Sequence, residues 1–346
     1  MYQLKIGIIT FHWATNYGAV LQCYALQETL RYLGHDAVII NYKPSKYDNN
    51  LWTFFRMKKF IDIRKFISDI RKEMGINAFR KQYLNLTKRY RTTKQLQKYC
   101  NDFDVIISGS DQVLNDTFLR GGERHGSTAY YLDFGRQDAI RVCYAVSFGQ
   151  TAYPIDLIPK VKPLVKKLNA VSCRENTGVE IFKSFGISTA CVVPDPTLLL
   201  SRCNYERLLP PNQNGLKNTF VYLLHGRYNI LKNKLPDNVL ISSSEDIQEW
   251  LQNIRDAKFV ITNSFHGTVF CIHFHVPFVV VLPTLDNVGM NDRFYTLLSN
   301  LRLSDRMILE SDFKYTETFN IDWVTVDRKL KEYTTLGLHF LNKAFN

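Results

Sequence analysis

The chain has 346 residues, 45% of them hydrophobic and 22% charged, with a formal net charge of +12. This is a globular composition, long enough for two cores, and it excludes a disordered chain. No apolar run reaches the length that spans a bilayer. The seven cysteines are scattered and show no C-x-x-C spacing, which is expected of a reduced, cytoplasmic protein.

The charge is local. Residues 51–100 hold fourteen Lys and Arg against three acids, so most of the imbalance sits in one segment. A nucleic-acid enzyme would more often spread its basic residues over a working face, and no nucleic-acid partner is expected.

In chain order, "LKIGII" (4–9) reads as a first strand rather than a signal peptide. A Gly-containing turn follows, then "AVLQCYALQETLRYLG", which sets Ala19, Leu21, Ala25, Leu26, Leu30 and Leu33 on one helical side with Gly34 as a stop. "AVIIN" (37–41) completes a βαβ unit and hence a parallel sheet. In the basic segment, Phe60, Ile63, Ile67, Ile70 and Met74 recur at three-four spacing among Lys and Arg. One reading packs this stripe onto the first domain, and the other docks the helix on an anionic membrane surface.

Further buried strands are expected at 104–108, 141–147, 169–173, 190–193, 219–224, 258–262 and 277–282, with helices at 154–168, 175–185, 245–256 and 322–343. Continuous apolar strands alternating with helices mark sheets covered on both faces. The pattern restarts near Ala170. The expectation is two Rossmann-like domains about a central cleft: 1–169 with the basic helical insertion 51–100, and 170–346 with a C-terminal helix.

Five stretches could carry chemistry. In "FHWATNYGAVLQ" (11–22), Gly18 lets backbone approach a ligand, while Asn16 or Thr15 could simply cap the helix. "ISGSDQVLN" (107–115) puts Ser110, Asp111, Gln112 and Asn115 at a strand's carboxyl end, where open α/β sheets bind ligands. The competing reading is Asp111 as a helix cap. "VSCREN" (171–176) offers Arg174 for a carboxylate or phosphate, or for a structural salt bridge. In "VVPDPTLLL" (192–200), Asp195 is either a turn former or a ligand residue.

In "TNSFHGTVFCIHFHVPF" (262–278), Ser264 or Asn263 caps a helix whose first turn carries His266, and Gly267 keeps the adjacent surface low. Positions 266, 271, 273 and 275 point in different directions on a helix, so no metal site is expected there. Ser264 lacks the G-x-S-x-G elbow of a nucleophile. His266 as an acid/base remains, with Cys271, His273 and His275 as packing and turn residues.

Taken together, "GIITFHWATNYGAVLQCYAL", "DVIISGSDQVLN", "YAVSFGQ", "VSCRENTGVEIFKSFGI", "VVPDPTLLL", "TNSFHGTVFCIHFHVPFVVV" and "NDRFYTLLSNLRLSDR" resemble, in order, the polysaccharide pyruvyl transferase family. The resemblance implies a GT-B-like fold and transfer of pyruvate from phosphoenolpyruvate to two hydroxyls of a sugar, giving a cyclic ketal on a bacterial surface polysaccharide. It matches His266 to a catalytic position and Arg174 to donor binding; the reaction needs an acid and a base, and from its place at a strand end Asp111 is the candidate partner for His266. Some members have Arg-Leu-His where this chain has Ser264-Phe265-His266, and Arg293, or less favourably Arg302, would supply the missing cation. No cofactor beyond phosphoenolpyruvate as donor substrate is expected, since arginines can neutralise the leaving phosphate. The acceptor would be a sugar or lipid-linked oligosaccharide, and the enzyme cytoplasmic, at most peripheral on the inner membrane face. Two rivals remain. A GT-B glycosyltransferase using a nucleotide-sugar calls for an acid gripping the ribose, for which the sequence offers no clear candidate. A catalytically silent assembly protein would tolerate loss of His266.

Overall fold

The computed structural model describes residues 2–48, 63–124, 126–211, 218–225, 227–241, 246–283 and 288–345. Residues 51–62 of the basic segment, Phe60 among them, lie outside these. Two sheets carry the fold. The first joins β1 (Lys5–Ile9), β2 (Asp36–Ile39), β3 (Val105–Asp111), β4 (Ile140–Val146), β5 (Ala170–Cys173) and β6 (Cys191–Val192) in the order β2-β1-β3-β4-β5-β6. The second joins β7 (Phe220–Tyr222), β8 (Leu240–Ile241), β9 (Val260–Thr262), β10 (Phe278–Leu282) and β11 (Met307–Leu309) in the order β11-β10-β9-β7-β8. Every strand pair in both is parallel. Parallel strands need helical crossovers, and these bury the runs of Ile, Val and Leu on both faces.

The boundary at 169/170 expected from sequence needs correction. β5 and β6 pair with β4 in the first sheet, which therefore runs on to Val192. A restart in the strand–helix rhythm cannot show which sheet a strand joins, because pairing is set by contacts far along the chain.

The helices that matter for the site are α1 (Tyr17–Tyr32), α2 (Ile63–Tyr83), α3 (Asn176–Ser184), α4 (Ile247–Arg255), α5 (Phe265–Phe274), α6 (Val288–Asn300) and α7 (Trp323–Ala344). α1 and α4 meet between the sheets, where Tyr17 stacks on Trp250 at 5.2 Å. α7 belongs to neither half alone. Asp327 accepts from His275 Nε2 at 2.8 Å, while Thr334 Oγ1 donates to Leu198 O at 3.0 Å. Gly337 lies against Tyr144 of β4 so closely that a Cβ there would fall 2.6 Å from the phenol oxygen.

α2 reverses the packing that periodicity suggests. Ile67, Ile70 and Met74 are exposed, and the helix rests instead on Ile76, Phe79 and Arg80. Arg80 fastens it to the β1–α1 loop, donating from Nε to His12 O at 2.7 Å and from Nη2 to Ala14 O at 2.6 Å. Glu73 reaches the same loop through Thr15 and pairs with Arg80 at 2.9 Å. Among the described residues no helix is long and apolar enough to cross a membrane.

Candidate active site

The carboxyl ends of β1, β3, β4 and β5 converge on one buried carboxylate. Asp195, in the Pro194–Asp195–Pro196 turn after β6, is 1% exposed. Its Oδ1 accepts from the Thr197 amide at 3.0 Å and from Thr197 Oγ1 at 2.7 Å, so it caps the short 3-10 turn that follows. Its Oδ2 collects groups from three other elements: Ser110 Oγ at 2.9 Å, Arg174 Nη1 at 3.1 Å and His266 Nε2 at 3.6 Å. Burial opposes ionisation, but His266, Arg174 and Thr197 hold the carboxyl well below the usual carboxylate range.

Ser110 follows the cis Gly109–Ser110 peptide. A Cβ on Gly109 would fall 2.1 Å from Tyr144 O, so the close β3–β4 approach admits only glycine there. Gln22 of α1 and Thr10 complete this corner. The Gln22 amide nitrogen donates to Thr10 Oγ1 at 2.8 Å, and its oxygen accepts from the Ser110 amide at 3.2 Å.

Arg174 is wholly buried among acids. Besides Asp195 it reaches Asp111 Oδ1 at 3.4 Å and Glu175 Oε2 at 3.8 Å. Burial works against its charge and the three carboxylates overcome it, raising its pKa. Burial pushes the Glu175 carboxyl up despite Arg174 beside it. The guanidinium lies 4.7 Å from the centre of the Phe265 ring, and Arg293 of α6 lies 5.7 Å from the same ring. Burial and the like charge of Arg174 draw Arg293 down to about 10.

His266 enters from the second domain on α5, whose ten residues are all buried. Ser264 caps that helix, accepting from the Gly267 amide at 3.1 Å. Gly18, in the first turn of α1, lies directly beneath the imidazole: a Cβ there would sit 2.0 Å from Nδ1. Two helix N-termini thus meet at His266, each carrying a partial positive charge. α3 starts nearby, its Thr177 amide bonded at 2.9 Å to Asp292 of α6. Among the described residues several buried polar atoms of this centre make no hydrogen bond: Arg174 Nε and Glu175 Oε2, which face each other at 3.8 Å, His266 Nε2 and Arg293 Nε.

Not every residue singled out from sequence comes to this centre in the expected role. Asn16 is exposed and caps α1, accepting from the Ala19 amide at 3.2 Å. Asn115 caps the helix Asp116–Gly121 and donates to Phe148 O at 2.8 Å. Gln112 packs against Gly149, whose Cβ would lie 2.8 Å from its amide carbon. Gly267 does not keep a surface low: a Cβ there would stand 2.9 Å from Thr262 Oγ1, so the space is already filled. Asp111 has left-handed backbone, with φ of 72°, and turns to Arg174. The carboxylate facing His266 is Asp195, 84 residues further along the chain than Asp111. The only signal in sequence was an acid between two prolines, which reads equally as a turn.

The neighbours of His266 on α5 are engaged elsewhere. His273 Nε2 lies 2.7 Å from Thr197 O, and burial draws its pKa down to about 4. His275 ends the helix in left-handed backbone, stacked on Trp323 at 4.8 Å. Cys271 is buried. Arg302 is exposed. Among the described residues no three His, Cys, Asp or Glu side chains are gathered as a metal site would need.

Comparisons with known proteins place this geometry in a family. No curated protein matches the sequence. Among solved structures, a putative UDP-N-acetylglucosamine 2-epimerase from Listeria monocytogenes aligns at 9% identity and a TM-score of 0.45, covering 99% of this chain and 90% of that one. The Methanocaldococcus jannaschii UDP-GlcNAc 2-epimerase aligns at 12% identity and 0.44, over 96% and 93%. The E. coli heptosyltransferase WaaC aligns at 13% identity and 0.39, over 96% and 100%. The model of the family described as polysaccharide pyruvyl transferase matches residues 16–283, from the cap of α1 through β10 and hence across Asp195 and His266 but short of Arg293, and the chain belongs to that family.

Proposed function

We propose that the protein transfers pyruvate from phosphoenolpyruvate to two hydroxyls of a sugar, forming a cyclic ketal on a polysaccharide unit. The observation that carries this reading, beyond family membership, is the set of unbonded polar atoms around Phe265. Arg174 and Arg293 flank that ring; Arg293 Nε makes no hydrogen bond among the described residues, while Arg174 Nε and His266 Nε2 meet Glu175 and Asp195 only at 3.8 Å and 3.6 Å, beyond hydrogen-bond reach. A donor with a carboxylate and a phosphate on one carbon suits guanidinium groups and helix N-termini.

In the reaction a proton reaches the terminal methylene, which becomes a methyl group and leaves the central carbon electron-poor. One sugar hydroxyl adds there and gives up its proton. Phosphate leaves with its bonding pair, and the second hydroxyl closes the ring and releases the second proton. The two hydroxyl protons thus balance the one taken up by carbon and the one carried off with phosphate. His266, boxed between Gly18 and Asp195, is assigned to proton transfer, and Asp195 rather than Asp111 orients it. Arg174 already has three carboxylates around it, so much of the donor's charge falls to Arg293 and the helix starts. The scheme uses no metal or further cofactor.

We also read the outward face of α2 as the side that meets an anionic membrane surface, bringing the enzyme to a lipid-linked acceptor. Ile67, Ile70 and Met74 share that face with Arg71 and Lys81, while Asp69 and Glu73 lie on the opposite side.

A second reading has one observation in its favour. Glu310, after β11 in the second domain, is buried, pairs with Arg227 at 3.0 Å and keeps Oε1 unbonded. A nucleotide-sugar enzyme would use such an acid on a ribose. Calorimetry separates the two. Phosphoenolpyruvate should bind wild type and weaken in Arg293→Ala, whereas binding of a UDP-sugar that depends on Glu310 would replace the pyruvyl-transfer reading.

A further inference from the structure

A cavity of about 760 Å³ opens on the rim of the first sheet, away from the Asp195–His266 centre. Its wall carries five cations, Lys46, Arg91, Lys94, Arg124 and Lys160, against a single carboxylate, Glu123. That carboxylate is already committed. Its Oε1 accepts from Tyr42 Oη at 2.7 Å, from the Thr93 amide at 2.7 Å and from Thr93 Oγ1 at 2.6 Å. Lys94, Arg124 and Lys160 have no ion pair among the described residues. Arg91 has only a distant one, 3.9 Å from Asp48, which Arg89 already holds.

Like charges gathered without counter-ions repel one another, and a concave wall focuses their field on whatever enters. The cavity is also on the side where ligands belong. Lys46 follows the end of β2, Arg124 follows the helix after β3, and Lys160 sits on the helix after β4, all at the carboxyl rim. Tyr47, next to the lining residue Lys46, is tied to the active-site loop by an aromatic contact. Trp13, five residues before Gly18, stacks on Tyr47 at 4.5 Å, and Phe118 lies against Phe11 at 4.4 Å.

We propose that this cavity is an anion subsite that takes the diphosphate end of the acceptor. The pyruvyl-transfer reading is needed only to make the ligand an acceptor; the anion site stands without it.

The test is calorimetric titration of the full-length protein with inorganic pyrophosphate at low salt. Wild type, the triple variant Lys94→Ala/Arg124→Ala/Lys160→Ala, and Arg293→Ala are compared. The side chains removed in the triple variant are exposed, so its melting temperature should match wild type. Pyrophosphate should bind wild type, lose at least tenfold in the triple variant and bind Arg293→Ala normally. Phosphoenolpyruvate should show the opposite pattern. No binding to wild type, or equal binding to wild type and the triple variant, overturns the subsite. Loss only in Arg293→Ala overturns it too, because the anion would then sit in the cleft. If phosphoenolpyruvate fails to bind while pyrophosphate behaves as stated, pyruvyl transfer falls and the subsite stands. UDP and farnesyl diphosphate, titrated in parallel, distinguish a nucleotide from a lipid carrier. Each should weaken in the triple variant, and one that does not is excluded as an occupant.

Discussion

The cleft and the rim cavity handle charge in opposite ways. In the cleft, Arg174 is sealed among Asp111, Glu175 and Asp195, with its side chain 1% exposed. In the cavity, Lys46, Arg91, Lys94, Arg124 and Lys160 share one occupied carboxylate and remain in contact with water. Low dielectric makes each cleft contact strong and geometry-dependent, and it makes an unpaired partner expensive. Solvent makes each rim contact weak, so the rim acts through numbers and long range. The first arrangement suits proton transfer at a fixed atom; the second suits capture of a mobile anion.

The sharpest way to break this contrast is at His266. His266→Ala should lower ketal formation by about 10²–10⁴-fold with the fold retained, and a variant with full turnover would remove proton transfer from this residue. Next comes Arg174→Ala, which leaves Asp111 and Asp195 without their buried counter-ion. Urea unfolding should show a loss of about 3–5 kcal/mol. A stability like that of wild type would mean that the carboxylates find another partner or take up protons.

Acid should act on the interior before it acts on the rim. Burial draws both His12 and His273 down to about 4. Each is neutral in the folded chain, while the unfolded side chain takes up a proton near pH 6.5. The unfolded state therefore binds more protons as pH falls from 6.5 to 4, and stability drops across that window by roughly 3 kcal/mol for each histidine. The difference flattens below pH 4. Denaturation midpoints measured across this range check it, and His273→Gln should make the slope shallower.

Salt gives the smallest effect. Raising ionic strength from 0.05 to 0.5 M should weaken pyrophosphate binding severalfold, since exposed charges are screened over about a Debye length. Phosphoenolpyruvate binding in the buried cleft should change less. Equal salt dependence of the two ligands would mean that they share one site.

Much of this architecture is legible along the chain. The strand and helix expected at the N-terminus appear as Lys5–Ile9 and Tyr17–Tyr32, and the late helix expected over 322–343 as Trp323–Ala344. β8 and β11, the two edge strands of the second sheet, were not expected. α6 was not expected either, although Arg293 was singled out on it. Periodicity found the apolar stripe of α2 but left open whether it packs on the first domain or faces outward, because a stripe of Ile and Met reads alike in both settings.

The sequence by itself determined the parallel α/β class, the family and most of the residues at the site, because side-chain periodicity and local turn chemistry are properties of neighbouring residues. Only the tertiary structure decided that β5 and β6 join the first sheet, that Gly18 makes room for the His266 ring, and that Asp195 rather than Asp111 faces it. The His266–Asp195 pairing spans 71 residues and the two domains, so it exists only once helix starts and strand ends have packed together.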